Sequence, residues 1–433
     1  MILQKLSSVM NIRKYIKNNS IIKTGATYSF WATLKSLSTT AVGIAVMLWL
    51  TPLELGKWNT VSIFLAYAPF LQLGIQSGLN IELPVKLGGG KQDDAETLIA
   101  NGYGYAIIIS IIIGIIGLIT AIVYGISGNI DILAGILTIT LVAICSSFQL
   151  HFIARFRSAK AFDALSTIFK IEIPFILLCT IFVYLYHYWG ILLYNIIINL
   201  FNVVLMLKYA PFKHIKPCIK KLTIMHMGKI GIALMVLVQL RTAAQTLPRW
   251  IIIFRGGVEK LGLFTPATAI QSLICLIPSQ VAQFFHPQMG YLYGKTGLAK
   301  SMWNPVKKMV VLLPIVSLPI AVFIWILSPW LLDTFFPNYV EALWPMRIMA
   351  IAFIFTSSAT TSWILNTLKA FRYSYIYAII DFAGCFVYPL IMTYILPYNV
   401  LTSVTIGLAI NSIISYIINI LILRHVLHMS KYN

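Results

Sequence analysis

Two arginines in an otherwise membrane-compatible stretch carry the most telling chemistry of this chain. Arg241 and Arg249 lie in LRTAAQTLPRWIIIFRGGVEKLGLF, residues 240–264. Eight positions apart, about two helical turns, they point to roughly the same face of a helix. A guanidinium at the bilayer centre costs about 2.5–3.5 kcal/mol on insertion scales and more in simulations. A helix drawn over 229–254 puts Arg241 near its middle, where snorkelling to the headgroups does little. This face is therefore expected to look into a wet cavity that binds an anion. Lys35 and Arg347 are the other cations in apolar segments, Arg347 following Pro345 and expected nearer the outer surface. The plainer alternative for all four is a buried carboxylate partner or a snorkelled head. Candidate acids are Glu172 and Asp381, the two carboxylates well inside apolar segments, which Lys170 or Arg372 would neutralise near the inner face. Otherwise they are candidates for ion coupling. Tyr28, Trp31 and Trp250 are candidates for stacking on sugar rings, against the usual roles of such residues in interfacial belts or cores.

The elements that must hold these side chains are helical. Of 433 residues, 59% are hydrophobic and 10% charged, which is not a soluble composition. Each crossing needs about 20 apolar residues. Twelve predicted spans follow: 24–50, 61–83, 98–125, 131–156, 166–188, 190–209, 229–254, 263–286, 307–328, 342–366, 374–396 and 401–424. No alternating strand pattern recurs, so the fold class is all-α and polytopic. Gly262-Leu263-Phe264 and Gly56-Lys57-Trp58 close corresponding segments, and counting back 21 residues from Gly262 and Gly56 gives Arg241 and Lys35. This spacing predicts a repeat, a common construction in helical transporters.

The net charge of +20 is distributed by topology rather than as a nucleic-acid footprint. With the N-terminus inside, Lys and Arg crowd the inner segments, while the outer ones hold only Lys57, Arg255 and Lys260. That positive-inside pattern predicts both termini in the cytoplasm. The domains expected are a basic segment 1–23, an N-lobe of six spans 24–209, a basic linker 210–228, a C-lobe of six spans 229–425 and a tail 426–433. No cleavable signal peptide is read in residues 1–23. The five cysteines show no metal spacing and read as small core residues; no metal or cofactor is expected, and no GxxxxGK[ST] pattern implies nucleotide fuel. Asp93 and Glu96 have capping-box spacing before the third span. Pro248, beside Arg249, would free backbone carbonyls toward the cavity.

At Arg249, Gly257 and Gly262-Leu263-Phe264 the chain resembles the seventh-helix signature of bacterial polysaccharide flippases (Wzx-type), of the multidrug/oligosaccharidyl-lipid/polysaccharide exporter superfamily. Thr51-Pro52-Leu53-Glu54-Leu55-Gly56-Lys57-Trp58, with Gly74, Gly78-Leu79-Asn80 and Glu82-Leu83-Pro84, looks like the same family. One departure is Pro248, where family members commonly carry an acid before the arginine. The resemblance implies a MATE-like fold of two six-helix lobes around a central cavity in the bacterial inner membrane. It also implies an oligosaccharide on a polyprenyl pyrophosphate as substrate, an O-antigen, lipopolysaccharide or other surface-polysaccharide repeat unit, flipped from the cytoplasmic to the outer leaflet. Partners would be the lipid bilayer, the polysaccharide polymerase and chain-length machinery. No covalent bond is made or broken in such a reading, so no enzyme activity is expected. Arginine suits a pyrophosphate through paired hydrogen bonds. The rivals are a multidrug or small-molecule exporter, whose cationic cargo wants acidic walls; a lipid-linked glycan transferase or polymerase, which wants a large outer loop; and a membrane scaffold, which leaves the arginines without purpose.

Overall fold

A computed structural model describes residues 20–126, 128–397 and 399–429. Most of the basic segment 1–23, and the last four residues of the tail, lie outside them. The described elements are helical: α1 Ser20–Ala45, α2 Pro52–Ser62, α3 Ile75–Gly88, α4 Gln92–Ile126, α5 Ile130–Ser158, α6 Phe162–Tyr209, α7 Lys221–Leu263, α8 Thr265–Thr296, α9 Trp303–Phe335, α10 Leu343–Thr356, α11 Trp363–Thr367, α12 Phe371–Ile395 and α13 Val400–Leu427, with short 3-10 turns between some of them. Among the described residues, nine helices are long and apolar enough to cross a membrane. Faces such as Ile115, Ile119 and Ile122 on α4 are more than half exposed, as residues against hydrocarbon should be.

All twelve predicted segments fall on helix, but their boundaries differ instructively. Predicted spans 166–188 and 190–209 are merged in α6, which breaks at His187 with φ 49° and ψ −119°. Predicted span 61–83 is broken into α2, 3-10 turns over Ile63–Ala66 and Ala68–Gln72, and α3. Gly56, Lys57 and Trp58 do not close the first segment, as the sequence suggests; they lie inside α2. The reason is local. Thr51 is extended (φ −72°, ψ 157°) and its backbone N–H donates to Glu54 Oε2 at 2.9 Å while its hydroxyl accepts from Glu54 N–H at 3.3 Å. This capping box, with Pro52 next, starts a helix nine residues before the predicted span at 61. Before α4, Asp93 sits in the first helical turn rather than at a cap, and its neighbour Asp94 pairs with Lys86 at 2.9 Å.

Packing divides the chain into two compact units that differ from a division at 210–228: one holds the residues up to Val42 with Pro69–Met235, the other Gly43–Ala68 with Val236 onward. The crossings between units fall inside α1, between α2 and α3, and inside α7. In the first unit Phe152, Phe156, Leu165, Ile168 and Leu205 form a buried cluster. The linker is docked there: Arg155 Nη2 donates to the carbonyls of Pro211 and, at 2.7 Å, Phe212, and Cys218 N–H donates to Ala100 O at 2.9 Å. Lys220 N–H also donates to Asn101 Oδ1. A Cβ on Gly104 would overlap the Cys218 carbonyl, so glycine is what lets the linker lie flat on α4. In the same unit Gly78 packs on the carbonyl of Met227, and Gly231 on that of Gly74. Such small-residue contacts let backbones approach where lipid tails offer no hydrophobic drive between helices.

In the second unit a core of Met302, Val306, Val310, Ile364, Leu365 and Leu423 ties α9, α11 and α13 together. Gly56 on α2 and Gly262 on α7 meet there in the same way, each against a backbone carbonyl of the other helix. Gly257 has φ 87°, the left-handed region that favours glycine, and breaks the long α7 before its last turn. That places the Arg249, Gly257 and Gly262 pattern on one continuous structural motif: cavity residue, helix break, helix crossing.

Candidate functional site

Arg241 and Arg249 project from α7 into one cavity of about 330 Å³ inside the second unit. That size falls in the range of small-molecule sites, roughly 300–1,000 Å³. Its walls come from α7, α8, α10, α12 and α13, with Gln271, Phe353, Tyr377 and Tyr416 among the lining residues. Pro248 and Ala244 line it too. Because proline lacks an N–H, the Ala244 carbonyl loses its usual helix donor on the cavity side.

The two arginines are held differently. Arg241 Nη2 donates to Ser362 Oγ at 3.0 Å, and its guanidinium lies 5.8 Å from the Trp363 ring centre. Its Nε is buried without a partner. Arg249 has no hydrogen bond or ion pair with any described residue. The cavity also holds Asp381, but that carboxylate is engaged by neutral donors: Ser415 Oγ donates to Oδ1 at 2.7 Å and Asn411 Nδ2 at 3.1 Å. Among the described residues, two guanidiniums against one hydrogen-bonded carboxylate leave the cavity with excess positive charge and N–H donors without acceptors. Guanidinium forks of this kind match carboxylate or phosphate oxygens in pairs. Such a cavity can bind and orient an anion.

Lys35 and Glu172 meet in a separate cavity of about 250 Å³ in the first unit. Lys35 Nζ lies 2.6 Å from Glu172 Oε2 and 4.9 Å from the Phe169 ring centre. Asn202 Nδ2 donates to the other Glu172 oxygen. Glu172 is thus neutralised by Lys35 rather than by Lys170, which instead lies over the Trp31 ring at 5.2 Å. Tyr28 lines this cavity, packed on Phe162 and Phe169, and Gln149 donates to Asn199 Oδ1 at 3.2 Å along its wall.

The remaining predicted site residues lie outside both cavities. Arg347 is flanked by the rings of Trp325 and Trp344 at 5.3 and 5.5 Å and donates from Nε to the Trp325 carbonyl at 3.3 Å. Trp31 packs edge-on against Phe30, and Trp250 against Phe64 and Phe254. The sequence reading missed Ser362, Trp363, Asn411, Ser415 and Asn202. Their signal was present as neutral polar residues within apolar spans, where each must find a partner.

With that geometry in hand, comparison with known proteins places the chain. It belongs to a family of polysaccharide biosynthesis proteins, whose family model matches residues 48–345. No curated protein matches it in sequence. Its structure is similar to an inward-facing multidrug resistance MATE family transporter of the MOP superfamily, with a TM-score of 0.75 at 15% identity over 91% of this chain and 94% of that one. It is also similar to an outward-facing transporter of that description (TM-score 0.61, 16% identity, 94% and 95% covered) and to a MATE in the bent conformation (0.63, 14%, 94% and 96%). The fold is therefore MATE-like, in a multi-pass membrane protein of a polysaccharide biosynthesis family.

Proposed function

We propose that this protein is a flippase for an oligosaccharide carried on a polyprenyl pyrophosphate, taking the lipid-linked repeat unit of a surface polysaccharide, such as an O-antigen, from the cytoplasmic to the outer leaflet of a bacterial inner membrane. One observation carries the reading. In a member of a polysaccharide biosynthesis family, Arg249 faces a cavity with no partner among the described residues, beside Arg241 with an Nε unsatisfied among them. An unpaired guanidinium away from bulk water is costly to keep, and a pyrophosphate supplies the acceptors it lacks. The amide and aromatic walls around Tyr28, Gln149 and Asn199 suit sugar hydroxyls and ring faces, so the first unit's cavity is assigned to the glycan. Asp381 and Glu172 are the groups through which an ion gradient would act. Alternating access with both termini in the cytoplasm completes the scheme, and the flipped product would pass to the polymerase and chain-length machinery.

The experiment is leaflet exchange of a labelled polyprenyl-pyrophosphate oligosaccharide in proteoliposomes, comparing wild type with Arg241→Ala and Arg249→Ala. Loss of exchange in either variant with retained folding is the expected result. Full exchange by the double variant sinks the anion-cavity reading. A multidrug exporter is the second reading, favoured by the structural neighbours' printed function. Uptake of a cationic dye without glycolipid exchange would put it first.

A further inference from the structure

The ends of α9 and α13 form a recess that the flippase reading does not use. It has a volume of about 430 Å³ and is lined by Trp303, Lys307, Arg424 and His428 and by the apolar Val310, Val311, Ile420 and Leu423. Lys307 and Arg424 come from different helices, both are exposed, and neither has a hydrogen-bonded or ionic side-chain partner among the described residues. Among the described residues no carboxylate lines the recess. Trp303 and His428 meet edge to face at 5.6 Å across one margin. His428 Nδ1 lies 2.8 Å from the Arg424 carbonyl, which can only accept, so the proton sits on Nδ1 and the ring is held in place.

The polarity of the recess runs in one direction. Cations and the tryptophan lie toward the α9 N-terminus and α13 C-terminus. The apolar floor of Val310, Val311, Ile420 and Leu423 leads along the same helices to Ile315, Leu318, Ile417 and Leu421, each about half exposed. A free anion would satisfy Lys307 and Arg424 but leave this floor bare. An acyl chain would cover the floor but leave the cations unpaired. A molecule with both parts is an anionic glycerophospholipid, and basic recesses between helices at the cytoplasmic side of membranes bind such headgroups. We infer that this recess is a binding site for one anionic phospholipid, its phosphate between Lys307 and Arg424 and its acyl chains along α9 and α13.

The test uses the purified full-length protein in neutral detergent. Thermal unfolding is followed while dioleoylphosphatidylglycerol, dioleoylphosphatidylcholine or inorganic phosphate is added, and lipid retention is read by native mass spectrometry. Phosphatidylglycerol should raise the midpoint and be retained, while the other two should not. Lys307→Gln with Arg424→Gln should weaken its apparent affinity about tenfold or more. Val311→Trp fills the apolar half without touching either cation and should do the same, which keeps the test open if the double variant folds poorly. An equal effect of phosphatidylcholine would overturn the inference. So would an unchanged response in the variants, or inorganic phosphate reproducing the shift. None of these outcomes depends on which substrate the cavity of Arg241 and Arg249 carries.

Discussion

Gly56 and Gly262 pack backbone against backbone, each in the notch left by the other's missing side chain. A Cβ on Gly56 would overlap the carbonyl of Val258 and come within 3.2 Å of Gly262 N; one on Gly262 would overlap the carbonyl of Pro52 and come within 2.9 Å of Gly56 N. In both directions the carbonyl met lies four residues before the partner glycine. The contact is reciprocal in the manner of a two-fold axis. This is the relation expected if the stretches ending in Lys35…Gly56 and Arg241…Gly262 are repeats.

Substitution at this crossing should be costly. Gly262→Val or Gly56→Val should destabilise the protein by about 1–3 kcal/mol or more, since the atoms met are backbone and cannot rotate away. Gly43, also on a helix, has open space around its Cβ position. Gly43→Ala should therefore be neutral or stabilising by up to about 1 kcal/mol. Thermal unfolding of the variants in detergent compares the two; similar midpoints for all three would refute the tight crossing.

The Lys35–Glu172 pair should show coupling. Its side chains are 28% and 3% exposed, so removing one partner strands the other in a poorly hydrated site. Lys35→Met and Glu172→Gln should each cost roughly 1–3 kcal/mol, below the range for a fully buried pair because Lys35 reaches solvent. The double variant should cost less than the sum. Strict additivity in the unfolding midpoints would mean that the pair contributes no interaction energy.

Arg249 should trade stability for function. It has no partner among the described residues, so Arg249→Met should leave thermal stability unchanged or raised, by analogy with unpaired charges elsewhere. The same variant should lose glycolipid exchange. A large drop in midpoint would instead point to a structural partner for the guanidinium.

The sign of the cavity can be read chemically at Cys275, which lines it. With the exposed Cys218 replaced by serine, Cys275 is the remaining thiol that is not buried. A negatively charged methanethiosulfonate should modify it faster than a positively charged one of similar size. Arg249→Gln should reduce that ratio. Mass spectrometry of the modified peptide gives the rates, and a preference for the cationic reagent would favour the drug-exporter reading.

The sequence made the helices legible because hydropathy over about 20 residues reports burial in lipid directly. It also made Arg241 and Arg249 legible, because two guanidiniums two turns apart must share a face. Depth, however, is not direction. Lys35 and Arg241 each lie 21 residues before a glycine and look equivalent by depth, yet one turns to Glu172 and the other to Ser362, because packing against distant helices sets where each points. The start of α2 was a different failure. Thr51, Pro52 and Glu54 spelled out a helix start, but the polar residues around Lys57 kept the hydropathy low until residue 61. For Asp381 the sequence showed the acid and not its fate, since Asn411 and Ser415 reach it from the following helix.

The docked linker bears on how the protein is made. Residues from Pro211 to Lys220 are fastened to α4 and α5 through Asn101, Ala100 and Arg155, and the first part of α7 packs on Gly74 and Gly78. During synthesis α4 and α5 therefore precede α7. The linker finds its seat ready, and α7 enters the membrane already registered against an earlier helix. In chain order, α7 therefore carries its packed start in the first unit ahead of Arg241 and Arg249.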